Sequence, residues 1–361
     1  MSAHGAAGSV SAGSFAGNVC AMEQRTLGRT GVHVTPLCLG AMMFGAWGEP
    51  DHEASIRIIH RALDAGINFI DTADVYSRGE SEEIVGKALA GRRENVVLAT
   101  KFHGTMGEDP NEAGNSRRWI MREVEASLKR LQTDWIDLYQ VHRWDPWTDH
   151  DETLGALSDL VSQGKVRYIG SSTYPAAQIV KAQFLARQQR LQRFVCEQPP
   201  YSILVRGIEA DVLPTCREFG LGAIAWSPLA GGWLSGHWRK GADTLTSRRS
   251  AMIPQRYDLT LPANQAKLEA ADALARLAEE SGISLIHMAI AFVIRHPAIT
   301  AAIIGPRTME QLESQLGAAD VELDPAVLDR IDEIVAPGMT INPTDAGWTN
   351  PALGAEARRR S

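Results

Sequence analysis

Short apolar runs alternate along the chain with longer segments whose apolar positions recur every three to four residues. The short runs lack the strict apolar–polar alternation of a half-exposed strand, which is typical of strands buried on both faces. They predict eight strands, at residues 37–40, 68–71, 96–100, 136–141, 167–171, 194–198, 222–226 and 300–304.

The longer segments predict helices between these strands. They lie at 53–65, 81–90, 116–131, 151–163, 175–188, 209–219, 265–295 (interpreted as two helices) and 308–318. Buried strands that are each followed by a helix indicate a parallel sheet covered by helices, and eight such units predict a (β/α)8 TIM barrel in the α/β class. A doubly wound sheet is the alternative, but it requires a glycine fingerprint after its first strand. The segment LCLGAMMFGAW has glycines at the wrong spacing for that.

The two ends of the chain differ from this alternating pattern. Residues 22–35, MEQRTLGRTGVHVT, predict a β-hairpin with GRTG as its turn. Residues 1–21 are rich in Gly, Ala and Ser and predict a disordered extension. The prediction is therefore a barrel domain over 22–335 and a C-terminal segment, 336–361, that lies partly over the barrel rim and ends in disordered residues.

Composition and charge restrict the classes of partner. The formal net charge of −7 and the pI of about 5.8 argue against nucleic acid or an anionic membrane as the main partner. No apolar run approaches the length that spans a bilayer. The four cysteines are scattered and form no Cys/His cluster, which predicts reduced thiols, a cytoplasmic protein and no metal site.

Polar residues follow three neighbouring predicted strands at their carboxyl ends, where active sites of such barrels lie. Asp71 ends the second strand and Tyr76 lies in the loop after it, Lys101 follows the third strand, and His142 follows the fourth. An ammonium beside a phenol lowers the pKa of the phenol, and a carboxylate holds that ammonium in place. An imidazole donates a hydrogen bond to a substrate oxygen. The set suits protonation of an oxygen that becomes an alkoxide, as in carbonyl reduction.

Each of these residues also has a structural explanation when it is taken alone. Asp71 is placed to cap a helix, Lys101 to be solvated in a loop, and His142 and Tyr76 to pack. Their joint placement at successive strand ends favours a catalytic site.

Three segments that carry these residues, GINFIDTADVY, VVLATKF and IDLYQVH, resemble segments of the aldo-keto reductase family, and the resemblance extends over residues 22 to about 350. It implies a catalytic tetrad of Asp71, Tyr76, Lys101 and His142, with Tyr76 as the general acid. It also implies a nicotinamide dinucleotide bound in an extended pose across the barrel top. The function predicted is NADPH-dependent reduction of an aldehyde or ketone.

The same resemblance implies the residues that hold the cofactor. GSSTY at 170–174 is similar to the family's Ser-Asn pair at the carboxamide, with Thr173 in place of Asn, and IIGPRTMEQLESQ at 303–315 is similar to the segment that holds the adenosine 2′-phosphate. A guanidinium matches a phosphate in fork geometry, so Arg307 favours NADP over NAD. The implied cofactor-binding residues are Gly40, Ala41, Met42, Ser172, Gln198, Trp226, Ser227, Leu229, Gly231, Gly305, Arg307, Gln311 and Gln315.

Seven of the nine tryptophans lie in or near predicted rim loops, which suits a mostly apolar substrate pocket. Trp47 and Trp348 are the predicted pocket walls, while most of the others are expected to pack the loops. Arg143 and the Ser247-Arg248-Arg249 run are placed either to contact an anionic substrate or to be solvated surface.

Two alternative functions remain open at the level of sequence. One is an alcohol dehydrogenase that works in the oxidative direction, with the Tyr76 phenolate as base. The other is a redox-sensing regulatory protein that binds NADP(H), similar to potassium-channel β subunits, which share the fold and can retain the tetrad. The expected partner is a small-molecule carbonyl compound.

Overall fold

A closed barrel of eight parallel strands forms the centre of the computed structural model, which describes residues 22–241 and 248–349 together with residues 354, 357 and 359. The strands of the barrel are β3 (Leu37–Gly40), β4 (Phe69–Asp71), β5 (Val97–Phe102), β6 (Ile136–Val141), β7 (Val166–Ser172), β8 (Cys196–Gln198), β9 (Gly222–Trp226) and β10 (Ile299–Ile304). Each strand pairs with the next in the chain, and β10 pairs with β3 to close the barrel. The predicted (β/α)8 barrel is confirmed, with every strand within two residues of its predicted bounds.

Helices cover the outside of the barrel between the strands. They are α1 (His52–Asp64), α2 (Glu80–Ala88), α3 (Arg117–Leu131), α4 (His150–Ser162), α5 (Ala176–Gln189), α6 (Val212–Phe219), α7 (Arg248–Met252), α8 (Pro262–Glu280), α9 (Leu285–Arg295), α10 (Met309–Leu316) and α11 (Pro325–Ile334). The sequence pattern had not predicted α7 or α11. The predicted helical segment 265–295 is divided into α8 and α9, as expected.

Local chemistry explains where several helices begin and end. Side-chain oxygens at the N-caps accept hydrogen bonds from backbone N–H groups that have no partner within the helix. The capping residues are Asp51, Ser116, Ser284, Thr308 and Asp324. The division between α8 and α9 has the same origin. Gly282 takes a left-handed backbone conformation (φ +67°) and Ser284 then caps α9.

An apolar layer fills the barrel interior below its carboxyl end. It contains Phe69 of β4, Ala99 of β5, Leu138 of β6, Cys196 of β8 and Ile224 of β9. Successive side chains of a strand point to opposite faces, so the residues two positions later on the same strands also point inward. The barrel therefore carries a solid apolar floor beneath whatever occupies its mouth.

The N-terminal hairpin closes the opposite end of the barrel. Its strands β1 (Arg25–Thr26) and β2 (His33–Val34) pair in antiparallel fashion, which agrees with the predicted hairpin. Leu27 in its turn belongs to the apolar layer inside the barrel, and the Arg25 Nη1 donates to the carbonyl of Ile294 at 2.6 Å. The hairpin thus covers the amino end of the barrel.

The C-terminal segment crosses the carboxyl end of the barrel. Arg206 N donates to Met339 O at 2.8 Å and Ile341 N to Leu204 O at 3.2 Å, and Gly347 lies against Trp226. Residues 1–21, which were predicted as a disordered extension, lie outside the described residues, as do Ser247 and most of the chain after Thr349.

Among the residues that the structure describes, no single helix is both long and apolar enough to cross a membrane. One pair of helices, α8 and α9, meets the criterion only when taken together, and the pair is bent by 97° at its break.

The hairpin turn offers a test of barrel closure. Gly28 has φ +56°, and a Cβ there would lie 2.5 Å from the Val195 carbonyl oxygen, whereas Gly31 in the same turn has φ +76° and open space around it. We expect Gly31→Ala to cost about 1–2 kcal/mol of unfolding free energy, because only the left-handed conformation is penalised. Gly28→Ala should cost about 1–3 kcal/mol more, since it also forces backbone apart. Urea unfolding of both variants measures this, and equal losses would contradict the contact.

Candidate active site

The residues predicted for catalysis lie in one layer at the mouth of the barrel. Asp71 follows the inward-facing Phe69 by two positions, and Lys101 follows the inward-facing Ala99 by two. On β6, Leu138 is followed two positions later by Gln140, and His142 comes directly after the end of the strand. Because every second residue of a strand faces the same side, these polar residues also point inward and form a layer directly above the apolar floor.

The Lys101 ammonium is fully buried in this layer. Its Nζ donates to Asp71 Oδ1 at 2.6 Å, to the Thr72 carbonyl at 2.7 Å and to the Tyr76 hydroxyl at 3.3 Å. Burial by itself disfavours the charged ammonium, but the charges and hydrogen bonds of Asp71 and Tyr76 outweigh it, and the pKa of Lys101 is raised above its usual value. The amine is therefore a permanent cation beside the phenol.

Two glutamines hold the second oxygen of Asp71. Gln198 Nε2 donates to Asp71 Oδ2 at 2.8 Å, and Gln140 Nε2 donates to the same oxygen at 3.3 Å. Gln198 is predicted from resemblance to lie at the cofactor carboxamide; in the structure its amide fixes the carboxylate that pairs with Lys101. Gln140 was not predicted. Its inward position two residues before His142 is the signal that identifies it.

Tyr76 lies over the ammonium and between two rings. Its ring centroid is 5.7 Å from that of His142, at an interplanar angle of 82°, and 6.0 Å from that of Trp47. The residues after it, Ser77 and Arg78, have φ values of 49° and 57°. Such left-handed conformations are costly outside glycine and cluster at functional sites. The phenol is thus presented by a strained loop.

His142 is neutral in this setting. Burial, together with the positive charges of Lys101 and Arg143, holds the pKa of its imidazole well below the usual value. A neutral imidazole carries one N–H donor and adds no positive charge to that of Lys101 and Arg143.

Trp226 and the residues of GSSTY meet at the opposite side of the mouth. Ser172 Oγ donates to the Gln198 carbonyl at 2.9 Å, and Thr173 N donates to the same oxygen at 3.1 Å. Thr173 Oγ1 accepts from the indole Nε1 of Trp226 at 3.3 Å. Ser172, Gln198 and Trp226, predicted from three different strands, are therefore joined through Thr173.

A groove leads from Trp226 along the loop after β9. It is lined by Ser227 and Gly231 of this loop and by Arg249 and Tyr257 of the segment that follows. The Tyr257 hydroxyl donates to the Gly231 carbonyl at 2.9 Å, and Leu229 packs half-buried against the core. The two segments thus form opposite walls of one groove.

The segment after β10 forms the far side of the rim. Gln311 Oε1 accepts from the backbone N–H of Arg307 at 2.8 Å, and Gly305 is exposed with open space where a Cβ would stand. Gln315 is buried, and its Oε1 has no hydrogen-bond partner. This end therefore offers a half-buried guanidinium and an unsatisfied acceptor close together in sequence.

The residues predicted after β3 are held tightly by the barrel. A Cβ at Gly40 would lie 2.5 Å from the Ile303 side chain, which explains the glycine. Ala41 is fully buried, and its N–H donates to the Asp71 carbonyl at 2.8 Å. Met42 is half-buried, and its Sδ accepts a long hydrogen bond from Arg249 Nη2 at 3.9 Å.

The tryptophans near the rim separate into two groups. Trp233 and Trp238 are buried and stacked on each other at 4.2 Å, so they pack the loops. Trp47 stands beside Tyr76, whereas Trp348 lies 6.3 Å from Trp144. The two predicted pocket walls are both half-buried at the rim, and each contacts a different neighbour.

The sequence model of the aldo/keto reductase family matches residues 36–336. The chain is 43% identical over 326 residues to an uncharacterized oxidoreductase, YrpG, of Bacillus subtilis, covering 87% of this chain and 96% of the relative. The chain belongs to the aldo/keto reductase family of oxidoreductases. It is also 35% identical to a probable voltage-gated potassium channel subunit beta of Oryza sativa (87% and 97% covered) and 33% identical to versiconal hemiacetal acetate reductase of Aspergillus parasiticus (88% and 98% covered).

The residues of this chain fit a nicotinamide dinucleotide, the cofactor that the family uses. Trp226 presents a half-exposed indole next to Ser172 and Gln198, which together offer a stacking face and amide partners. The unsatisfied Gln315 Oε1 matches an amine donor such as that of adenine. No group of three or more His, Cys, Asp or Glu among the described residues could hold a metal ion.

A buried glutamate contacts the GSSTY segment from the outer face of the barrel. Glu197 Oε2 accepts from Ser171 Oγ at 2.5 Å, and its Oε1 accepts from Tyr174 N at 3.0 Å. Burial raises the pKa of Glu197 from 4.5 to about 7, although its hydrogen bonds oppose the shift. The sequence had not singled out Glu197, which sits next to Gln198 but faces out of the barrel.

This glutamate makes stability depend on pH. Between pH 4.5 and 7 the folded chain keeps the Glu197 proton that the unfolded chain has lost, so its contribution to the unfolding free energy falls as pH rises and is constant above 7. We expect the stability difference between wild type and Glu197→Gln to fall by on the order of 3 kcal/mol over this range. Urea unfolding at several pH values measures it, with the exposed Glu280→Gln as control. A pH-independent difference would contradict the raised pKa.

Proposed function

We propose that this protein reduces an aldehyde or ketone with NADPH, and that Tyr76 donates the proton to the carbonyl oxygen. The observation that carries the proposal is the contact of 3.3 Å between the Tyr76 hydroxyl and the buried Lys101 ammonium. An adjacent cation stabilises the phenolate that remains when the proton leaves.

The other residues of the tetrad support this proton transfer. Asp71 pairs with Lys101 and is itself fixed by Gln198 and Gln140, so the ammonium stays charged and in place. The neutral His142 donates a hydrogen bond to the substrate oxygen and orients it toward Tyr76. Trp47 excludes water on the other side of the phenol.

NADPH, when bound, supplies the hydride that reduces the carbonyl carbon. Ser172, Gln198 and Trp226 would hold its nicotinamide end, and Ser227, Leu229 and Gly231 would lie along its pyrophosphate. Gly305, Arg307, Gln311 and Gln315 would hold the adenosine end, and Gly40, Ala41 and Met42 the adjoining rim. The guanidinium of Arg307 supports a preference for NADPH, because only this cofactor carries the 2′-phosphate.

A regulatory function is the second candidate. The similarity to a probable potassium channel subunit beta supports it, while the similarity to versiconal hemiacetal acetate reductase supports reduction. Oxidation of an alcohol uses the same residues in reverse, with the Tyr76 phenolate as base. We favour a cytoplasmic enzyme whose partner is a small carbonyl compound rather than nucleic acid or membrane.

Steady-state turnover separates these functions. Wild-type protein is assayed with NADPH and a panel of aldehydes and ketones, and with NADP and the matching alcohols. Sustained turnover of a carbonyl compound is expected, at a higher kcat/KM than for the alcohol. Oxidation of bound NADPH in a single slow turnover would favour the regulatory function instead.

Removal of the Tyr76 hydroxyl tests the proton transfer. Tyr76→Phe should lower kcat by roughly 10²–10⁴ while leaving NADPH affinity near that of wild type, because the phenol acts on the substrate. Lys101→Met should also lower kcat, since the phenol loses its cation. Tyr168→Phe, which removes a hydroxyl from the lower part of the barrel, is the control. Near-normal turnover of a folded Tyr76→Phe protein would refute the mechanism.

The cofactor preference depends on Arg307. Arg307→Ala should weaken NADPH binding by about tenfold or more, because a charge-assisted contact is worth about 1.5–3 kcal/mol, and should leave NADH binding nearly unchanged. Fluorescence titration with both cofactors measures the effect, and Arg187→Ala, at an exposed position of α5, is the control. Equal weakening of NADPH and NADH binding would contradict a contact between Arg307 and the 2′-phosphate.

A further inference from the structure

One half-buried arginine at the mouth of the barrel has no acidic partner. Arg143 follows His142 directly, and within residues 22–241 and 248–349 no carboxylate lies within ion-pair distance of its guanidinium. Three other partly or fully buried arginines of the same part of the chain are paired: Arg93 with Asp137, Arg130 with Glu82 and Glu123, Arg206 with Glu209 and Asp332. Arg143 departs from this pattern at the site itself.

Two contacts fix the position of this guanidinium. Arg143 Nη1 donates to the His142 carbonyl at 2.6 Å and to Thr173 Oγ1 at 3.3 Å. Thr173 Oγ1 also accepts from the indole of Trp226. The guanidinium therefore lies between the proton-donor side of the mouth and its cofactor side. Its Nε and Nη2 donate no hydrogen bond to any described residue, so one edge of the fork remains available.

The charge of Arg143 is only weakly compensated. Burial lowers the pKa of the guanidinium, Tyr76 and Glu197 oppose this, and Arg256 adds to it. Glu197 is committed to Ser171 and to the Tyr174 backbone, and Arg256 is itself a cation. An arginine remains protonated at neutral pH despite such a shift. A half-buried cation without a partner is unfavourable until an anion meets it.

We propose that Arg143 binds a carboxylate on the substrate, so that the preferred substrates are aldehydes or ketones that carry a carboxylate group. This inference rests on the proposed function. A planar carboxylate accepts two parallel N–H groups from a guanidinium, and one guanidinium neutralises one monoanion. Arg143 is then a specificity-determining residue, placed where a substrate that reaches Tyr76 and His142 also reaches its free edge.

A pair of matched substrates tests the inference. With NADPH, wild type should show a kcat/KM for 4-carboxybenzaldehyde about tenfold or more above that for its methyl ester. Arg143→Met should remove this preference by lowering only the value for the acid, with the ester within about twofold of wild type. Arg143→Lys should give an intermediate preference, because it keeps the charge and loses the fork. Arg118→Met, at an exposed position of α3, controls for the lost charge.

Cofactor titration and ligand binding complete the test. NADPH affinity should be the same in wild type and Arg143→Met. Equal losses for acid and ester, weaker NADPH binding, or no preference in wild type would overturn the inference, because Arg143 would then serve the cofactor or the fold. If wild type reduces neither aldehyde, the proposed function fails, and benzoate titration of the NADP complex decides the inference alone. Benzoate binding that Arg143→Met and Arg143→Lys both weaken supports it, and binding that neither variant alters overturns it.

Discussion

The buried ammonium of Lys101 is the constraint around which the mouth of the barrel is organised. Moving an ammonium out of water costs several kcal/mol, and the cost is offset only where its donors are satisfied and an anion is close. Lys101 has three donors, and Asp71, the Thr72 carbonyl and Tyr76 accept them. Asp71 in turn needs donors for its second oxygen, which Gln198 and Gln140 provide. One buried charge therefore fixes residues from four strands and the loop after β4.

The regular alternation of the strands decides which residues take part. A strand residue points into the mouth only if it lies an even number of positions after an inward-facing residue of the apolar layer. Asp71 lies two positions after Phe69, and Lys101 lies two positions after Ala99. A register shift of one residue in β5 would put Lys101 among the outer helices and leave Asp71 without its cation. The apolar floor and the polar site are thus consequences of one pattern, and the hairpin that seals the barrel below supports both.

Sequence reasoning reached the barrel, because buried strands and amphipathic helices are local patterns, and it reached Asp71, Tyr76, Lys101 and His142, because they end or closely follow strands. It missed contacts made by the fold alone. Gln140 and Gln198 are 58 residues apart in the chain, yet both donate to Asp71 Oδ2, and Gln198 Nε2 also donates to Gln140 Oε1 at 3.4 Å. Glu197 reads as an ordinary strand carboxylate until the barrel buries it. Helices α7 and α11 lie outside the eight strand–helix units, so the repeating pattern did not predict them.

A second buried lysine organises the wall above the site. Lys267 of α8 is fully buried, and its Nζ donates to Asp345 Oδ2 at 2.7 Å and to the Arg256 carbonyl at 2.8 Å. Asp345 lies two residues before Gly347, which packs on Trp226. This ammonium therefore ties the C-terminal segment to the segment that lines the groove. The positions of the tetrad residues depend on the carboxyl ends of the strands. The shape of the pocket depends instead on the C-terminal segment and on the segment that lines the groove. Chains that share the tetrad can for this reason differ in the substrates they accept.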